Sequence, residues 1–329
     1  MKIFSQFALW KTSCTTPNQN RGFSYDQIPD LSDKVAIVTG ANSGLGYATM
    51  VALAGRGAHV FLACRSQKRA LVAIDSALLE IRSKYPLLTT APKLEFLELD
   101  LKSLHKARES AREFLERGLP LHVLVCNSGI MVVPFELSPD GIESQFAVNY
   151  VGHFVFTMTL LDRLKASQPS RIVMISSMAH KSFAPRAGID FETLNDPTKS
   201  TDVKRYGRSK LANVLFTKAL ARRLSNEKVY INACHPGVVA TSLARQEGTT
   251  FTEWMGAMVM RTLGATAEKG ALSQLYLATS PEVEERDLRG RYFVPVAKEA
   301  KPAVLARNEE FQEKLWAFTE ELVRETFKA

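Results

Sequence analysis

Residues 35–46 read VAIVTGANSGLG, and the fold follows from how they are parsed. VAIVTG (35–40) is short, apolar and rich in β-branched residues, the pattern of a strand buried on both faces. TGANSGLG (39–46) then sets Gly40, Gly44 and Gly46 between that strand and an apolar helical stretch. Glycines at such positions permit a tight turn, a close backbone approach to a pyrophosphate and close packing of helix on strand. Asn42, Ser43 and Leu45 complete the loop. The helix that it opens presents free N–H groups and a positive dipole end to an anion. A glycine-rich loop alone is common; between a strand and a helix it is a dinucleotide-binding signal.

The pattern repeats along the chain. Similar apolar runs occur at HVFLAC (59–64), LEFLEL (94–99), HVLVCN (122–127), RIVMIS (171–176), VYINAC (229–234) and RYFVPV (291–296), alternating with helical segments. Such alternation requires parallel pairing through right-handed crossovers. The expected fold is therefore α/β, a doubly wound parallel sheet of the Rossmann type. Residues 31–329 read as one domain with no repeat or long linker, and residues 1–30 as an N-terminal extension.

Composition agrees with an ordinary globular protein: 329 residues, 46% hydrophobic and 23% charged. The formal charge of +8 is spread along the chain without a basic tail or aromatic-interleaved motif, so no nucleic-acid partner is expected. Cys14, Cys64, Cys126 and Cys234 stand far apart, which argues against a disulfide framework or zinc site and for a reducing compartment. No metal ligand set is visible, and His153, His180 and His235 read as structural. The apolar run IFSQFALW (3–10) is too short to span a bilayer. With Lys2, Lys11 and Arg21 and no acid before Asp26, the N-terminus leaves a packed extension, a peripheral membrane contact or mitochondrial targeting open. FAVNYVGHFVFTMTLL (146–161) carries Asn149 and His153 and reads as a buried helix.

The end of the second strand sets the cofactor. An acid there would bind a ribose 2′-hydroxyl and a base a 2′-phosphate. LACRSQKR (62–69) offers Arg65 and no carboxylate, which favours NADP(H) over NAD(H); Lys68 and Arg69 read as solvated helix residues. Farther along, TDVKRYGRSKLAN (201–213) sets Tyr206 and Lys210 one helical turn apart. Alone, that is a surface pair. Arg208, Lys218, Arg222 and Arg223 read as solvated, Leu211, Val214, Leu215 and Leu220 as core or dimer interface, and Phe311, Leu315, Phe318 and Leu322 as the docking stripe of a C-terminal helix.

Taken in order, TGANSGLG, LELDL (97–101), CNSG (126–129), FAVNYVGHF (146–154), RIVMISSMAH (171–180), YGRSK (206–210) and HPGVVAT (235–241) resemble the short-chain dehydrogenase/reductase family. The likeness covers residues 30–329 and is closest to its retinol dehydrogenase-like branch, which includes the WW-domain oxidoreductase catalytic region. The resemblance implies that Asp100 and Leu101 contact adenine, that Asn127 and Gly129 support the cofactor, and that Pro236, Gly237, Val238, Val239 and Thr241 border the nicotinamide. It makes Asn149, Ser177, Tyr206 and Lys210 the catalytic set, with Tyr206 and Lys210 also touching the cofactor. The family usually shows NNAG where this chain has CNSG, and the separation of Ser177 from Tyr206 is longer than in the broader family but suits this branch.

In that chemistry Tyr206 exchanges the proton, Lys210 lowers its pKa and binds the nicotinamide ribose, Ser177 orients the reacting oxygen and Asn149 supports a proton relay. The expected activity is NADP(H)-dependent hydride transfer between nicotinamide and an apolar alcohol or carbonyl, such as a retinoid or long-chain aldehyde. A specialised-metabolite ketoreductase and a non-catalytic cofactor-binding scaffold are the alternatives. The Met- and aromatic-rich segment 241–264, with Phe251, Trp254, Met255, Met258 and Met260, reads as a greasy substrate-side lid. A cytoplasmic or membrane-peripheral location is expected, and a homodimer is left open.

Overall fold

The computed structural model describes residues 22–239 and 265–328. Eight strands form one sheet in the order β3-β2-β1-β4-β5-β6-β7-β8. The first seven, β1 (Val35–Thr39), β2 (His59–Cys64), β3 (Lys93–Glu98), β4 (Val123–Cys126), β5 (Ser170–Ile175), β6 (Val229–Cys234) and β7 (Tyr292–Val294), occupy the seven expected apolar runs and pair in parallel. The eighth, β8 (Lys298–Glu299), is a two-residue antiparallel edge with no apolar pattern to announce it.

Helices cover both faces: α1 (Gly44–Ala54), α2 (Gln67–Lys84), α3 (Leu104–Glu116), α4 (Gly152–Ala166), α5 (Ala179–Ser182), α6 (Asp202–Arg223), α7 (Ala267–Thr279), α8 (Glu282–Glu285) and α9 (Glu309–Lys328). Two apolar clusters result, one on each side of the sheet, which is why the strands read as almost continuously hydrophobic. Strand order reverses between β1 and β4, and the crevice at that switch point is where an open α/β sheet receives its ligand.

FAVNYVGHF does form a buried helical segment, but it is not uniformly α-helical. A short turn (Ser144–Phe146) and a π-helical turn (Ala147–Val151) precede α4. Such bulges re-aim side chains at functional sites, and Asn149 sits inside this one.

Several solvated readings of α6 are corrected. Arg208 is only 3% exposed, donating to the Leu194 carbonyl at 2.8 Å with its guanidinium 3.6 Å from buried Glu143. Lys218 is half-buried and donates to the Gly290 carbonyl, and Arg222 is half-buried and pairs with Glu313 of α9 at 2.6 Å; Arg223 is exposed, as read, and reaches the same carboxylate from the solvent side. Leu211, Val214, Leu215 and Leu220 belong to the core. The stripe on α9 docks on the domain as expected: Trp316 lies against Phe154 and Phe216 at centroid distances of 5.3 and 5.9 Å, and the Thr319 and Tyr150 hydroxyls are 2.7 Å apart.

Within the extension, Phe23 packs edge-on against Tyr276 and the Tyr25 hydroxyl donates to the Glu268 carbonyl at 2.9 Å. Residues 1–21 lie outside the described part, as does the 241–264 segment. No helix among the described residues is long and apolar enough to cross a membrane.

Candidate active site

The glycine loop is built as a cradle. Gly40 has a φ of +68°, and a Cβ there would meet the Ser128 hydroxyl oxygen at 2.6 Å. A Cβ on Gly46 would come within 2.4 Å of the Gly40 carbonyl oxygen and 2.6 Å of Asn127 Nδ2. The α1 N-terminus is thereby drawn tightly onto the ends of β1 and β4. Thr39 ties those strand ends together: its Oγ1 accepts the Asn127 and Ser128 N–H groups at 2.9 and 2.8 Å, and its carbonyl accepts Asn127 Nδ2 at 2.9 Å. Asn127 Oδ1 is left buried without a protein partner. This cradle fits a dinucleotide. The substitutions in CNSG do not disturb it, because Ser128 contributes through its backbone and buried Cys126 lies 3.6 Å from the Thr157 hydroxyl.

Asn149, Ser177, Tyr206 and Lys210 converge beside the cradle. Asn149 clasps the loop after β4, accepting the Ile130 N–H on Oδ1 at 2.8 Å and donating from Nδ2 to the Ile130 carbonyl and the Ser209 hydroxyl, both at 2.9 Å. Space is tight at Gly129: a Cβ would lie 3.1 Å from Asn149 Oδ1 and 3.4 Å from Lys210 Nζ, so either side chain would have to give by a few tenths of an ångström. The Lys210 ammonium donates to the Ile175 carbonyl at 2.9 Å and sits 5.8 Å from the Tyr206 ring centroid. Ser177 follows β5, its hydroxyl accepting the Ala179 N–H at 3.2 Å, while Ser176 turns the other way and bonds the Lys210 carbonyl.

The expected tuning of Tyr206 by Lys210 needs correction. Burial raises the Tyr206 phenol to about 12, and the opposing influence is the Ser177 hydroxyl. Burial likewise lowers Lys210 to about 8. Desolvation thus outweighs the pair's own electrostatics in the folded chain. Nor do the neighbouring arginines add to the field at Tyr206, since Arg205 and Arg208 both turn toward Glu143.

Because the lysine pKa is depressed, its charge is complete well below pH 8 and lost as pH rises through that value. Any turnover that depends on this ammonium is accordingly expected to decline on an alkaline limb near about pH 8. Lys210→Arg should move that limb upward in a kcat/KM–pH profile, which reports the ligand-free chain, since a guanidinium stays charged. A limb unaffected by this substitution would assign it to another group.

The remaining candidates occupy the rim. Arg65 is exposed at the carboxyl end of β2 and has no ion-pair partner among the described residues. Beside it, a cavity of 690 Å³ runs from Asn42 and Ser43 of the loop to Ser66, Lys68 and Arg69, so these two bases face a cleft rather than bulk solvent alone. Asp100 and Leu101 follow β3, and Leu101 packs against α4 where a Cβ on Gly152 would strike its carbonyl at 2.4 Å. Pro236, Gly237, Val238 and Val239 follow β6, with the Gly237 N–H donating to His235 Nδ1 at 2.9 Å. Thr241 lies outside the described residues.

Sequence reasoning passed over Thr39, Ser209 and Gln145. Thr39 was visible as the last strand residue before the loop, but nothing in its spacing marks a hydroxyl as a hub. Gln145 accepts the Val132 N–H at 2.9 Å and so stabilises a left-handed φ of 52° at a valine, a costly conformation placed beside the site. His153, His180 and His235 are buried, and no group of residues suited to a metal occurs among the described residues.

A sheet with this switch point, a glycine cradle and a convergent Asn-Ser-Tyr-Lys set defines a nucleotide-dependent oxidoreductase of the doubly wound class. The short chain dehydrogenase profile matches residues 34–188 and 197–251, and the chain belongs to that family. It is similar to retinol dehydrogenase 13 of Mus musculus, with 41% identity over 89% of this chain and 84% of the relative. It is also similar to the WW domain-containing oxidoreductase of Pongo abelii, with 38% identity over 90% of this chain and 69% of that protein. Among solved structures, an uncharacterised protein from Mycobacterium paratuberculosis superposes with a TM-score of 0.70 and 31% identity, covering 92% of this chain and 98% of that one.

Proposed function

We propose that this chain is an NADP(H)-dependent oxidoreductase acting on an apolar alcohol or carbonyl. The observation that carries the reading is the convergence of Tyr206, Ser177, Lys210 and Asn149 beside the glycine cradle. When bound, the nicotinamide supplies or accepts the hydride. Tyr206 gives its proton to the carbonyl oxygen during reduction and takes it back during oxidation. Ser177 holds that oxygen with a hydrogen bond that strengthens as negative charge develops. Lys210, fixed by the Ile175 carbonyl, brings positive charge to the tyrosine and is placed to bond the cofactor ribose. Asn149 holds the Ile130 loop and the Ser209 turn of α6 in register, which keeps the ammonium next to Gly129.

Arg65, with the cleft lined by Ser66, Lys68 and Arg69, supports the phosphorylated cofactor, because a 2′-phosphate would meet cations and hydroxyls there and no carboxylate. Arg65→Ala is expected to raise the Kd for NADPH about tenfold or more, the worth of one charged hydrogen bond, and to leave NADH unchanged. Paired fluorescence titrations would measure both. Equal losses for the two cofactors would reject the 2′-phosphate role.

An apolar substrate is supported by the loop after β4. Ile130, Met131, Val132 and Val133 follow Gly129 directly, and Val132 remains 36% exposed. The name of the retinol dehydrogenase relative points the same way. Oxidation of NADPH by a panel of apolar aldehydes and ketones, against short polar carbonyls, tests it; turnover confined to polar carbonyls would refute it.

A further inference from the structure

His153 and Thr39 form a hydrogen-bonded link that the catalytic roles above do not use. Thr39 is the last residue of β1, immediately before Gly40. Its Oγ1 already accepts two backbone N–H groups, from Asn127 and Ser128, so its single hydrogen is free to point at His153 Nε2, 3.0 Å away. Nε2 is then an acceptor, and the imidazole hydrogen resides on Nδ1, which donates to the Asn149 carbonyl at 3.2 Å. The ring is only 1% exposed, and burial holds its pKa down at about 3, so the neutral form persists through the working pH range.

We infer that His153 is a positioning residue, coupling the dinucleotide loop to the catalytic asparagine through this one tautomer. The path is continuous: the Asn127–Ser128 backbone, the Thr39 hydroxyl, the His153 ring, the Asn149 carbonyl, and then the Asn149 side chain to Ile130 and Ser209, next in sequence to Lys210. The π-helical turn places Asn149 and His153 at its middle and just beyond its end, where both bonds can form. Displacement of the loop by a bound dinucleotide is therefore felt at Asn149, and a misplaced Asn149 is felt in the loop.

A second buried histidine makes a comparable bridge elsewhere in the site. His180 has the same tautomer, donating from Nδ1 to the Ser177 carbonyl at 2.6 Å while Nε2 accepts the Ala303 N–H at 3.1 Å. It braces Ser177 from the C-terminal part of the chain. Only His153 reaches the dinucleotide loop.

The inference rests on the oxidoreductase reading, and two experiments test it. In ¹⁵N-histidine NMR of the unaltered chain, His153 is expected to be neutral and protonated on Nδ1, untitrated between about pH 5 and 9, with a signal that moves when NADPH is added. A ring protonated on Nε2, a titrating ring, or a signal indifferent to bound NADPH would overturn the inference. In kinetics, His153→Gln puts an amide near the Nε2 position and His153→Asn near Nδ1. Gln should lower kcat about tenfold with little change in the Kd for NADPH, and Asn should raise that Kd about tenfold with kcat less affected, the scale of one buried hydrogen bond. Both variants losing thermal stability alone, with kcat, KM and Kd unchanged, would reduce His153 to a packing residue and overturn the inference. If the unaltered chain bound neither NADPH nor NADH, the functional reading would fail and the coupling with it; normal binding and turnover with the wrong tautomer would fail the histidine's role alone.

Discussion

Tyr206→Phe is expected to lower kcat for carbonyl reduction by roughly 10² to 10⁴-fold, the range over which a positioned acid contributes. The loss should fall on kcat, with the Kd for NADPH changing little. The phenol is the group that Ser177 and Lys210 both surround, and phenylalanine keeps the ring that Lys210 faces at 5.8 Å while deleting only the hydroxyl. Stability should move little or rise slightly, since burial of the phenolic oxygen is what lifts its pKa to about 12. Rapid-mixing measurement of NADPH oxidation separates the chemical step from cofactor binding. A variant that retained more than about a tenth of the activity would remove Tyr206 from proton transfer and leave a water or another residue as the acid.

The second large effect is expected at Gly46. In Gly46→Ala the added carbon would lie 2.4 Å from the Gly40 carbonyl oxygen and 2.8 Å from its carbon, both backbone atoms that cannot step aside as a flexible side chain can. Either α1 retreats from β1 or the loop changes course. Forced overpacking of this kind typically costs about 1–3 kcal/mol. The loss of dinucleotide affinity should exceed tenfold, because about 1.4 kcal/mol already corresponds to that factor and the same shift moves the α1 N–H groups proposed to hold the pyrophosphate. Thermal unfolding and NADPH titration measured on one preparation check both parts. Undiminished affinity would show that the cradle is not where the pyrophosphate rests. The two substitutions are complementary: Phe at 206 spares binding and removes chemistry, whereas Ala at 46 removes binding first.

These expectations trace back unequally to sequence and structure. All seven runs became parallel strands; six were legible because burial on both faces leaves no polar alternation, whereas the edge strand β3 keeps Glu95 and Glu98 among its apolar residues. The two-residue edge β8 was not legible, since its Lys298 and Glu299 are exposed and carry no apolar signal. The side chains proposed for catalysis were legible as types at characteristic separations. Their electrostatics were not: the spacing of Tyr206 and Lys210 suggests mutual tuning, yet how much water each loses depends on everything packed around α6. Charge was misread for the same reason, as Arg208 looks solvated in a string of basic residues until Glu143 arrives beside it from the segment before α4.

By itself, the sequence determined the doubly wound sheet, the glycine loop between β1 and α1, and the residue types of the proposed proton-transfer site, because each is written in local periodicity and short motifs. Tertiary structure alone decided that Thr39 is a hub, that His153 and His180 carry their protons on Nδ1, and that Arg208 is buried. Those properties depend on which atoms from distant segments compete for a hydroxyl, a ring nitrogen or a carboxylate, and that competition exists only once β1, β4 and α4 are packed together.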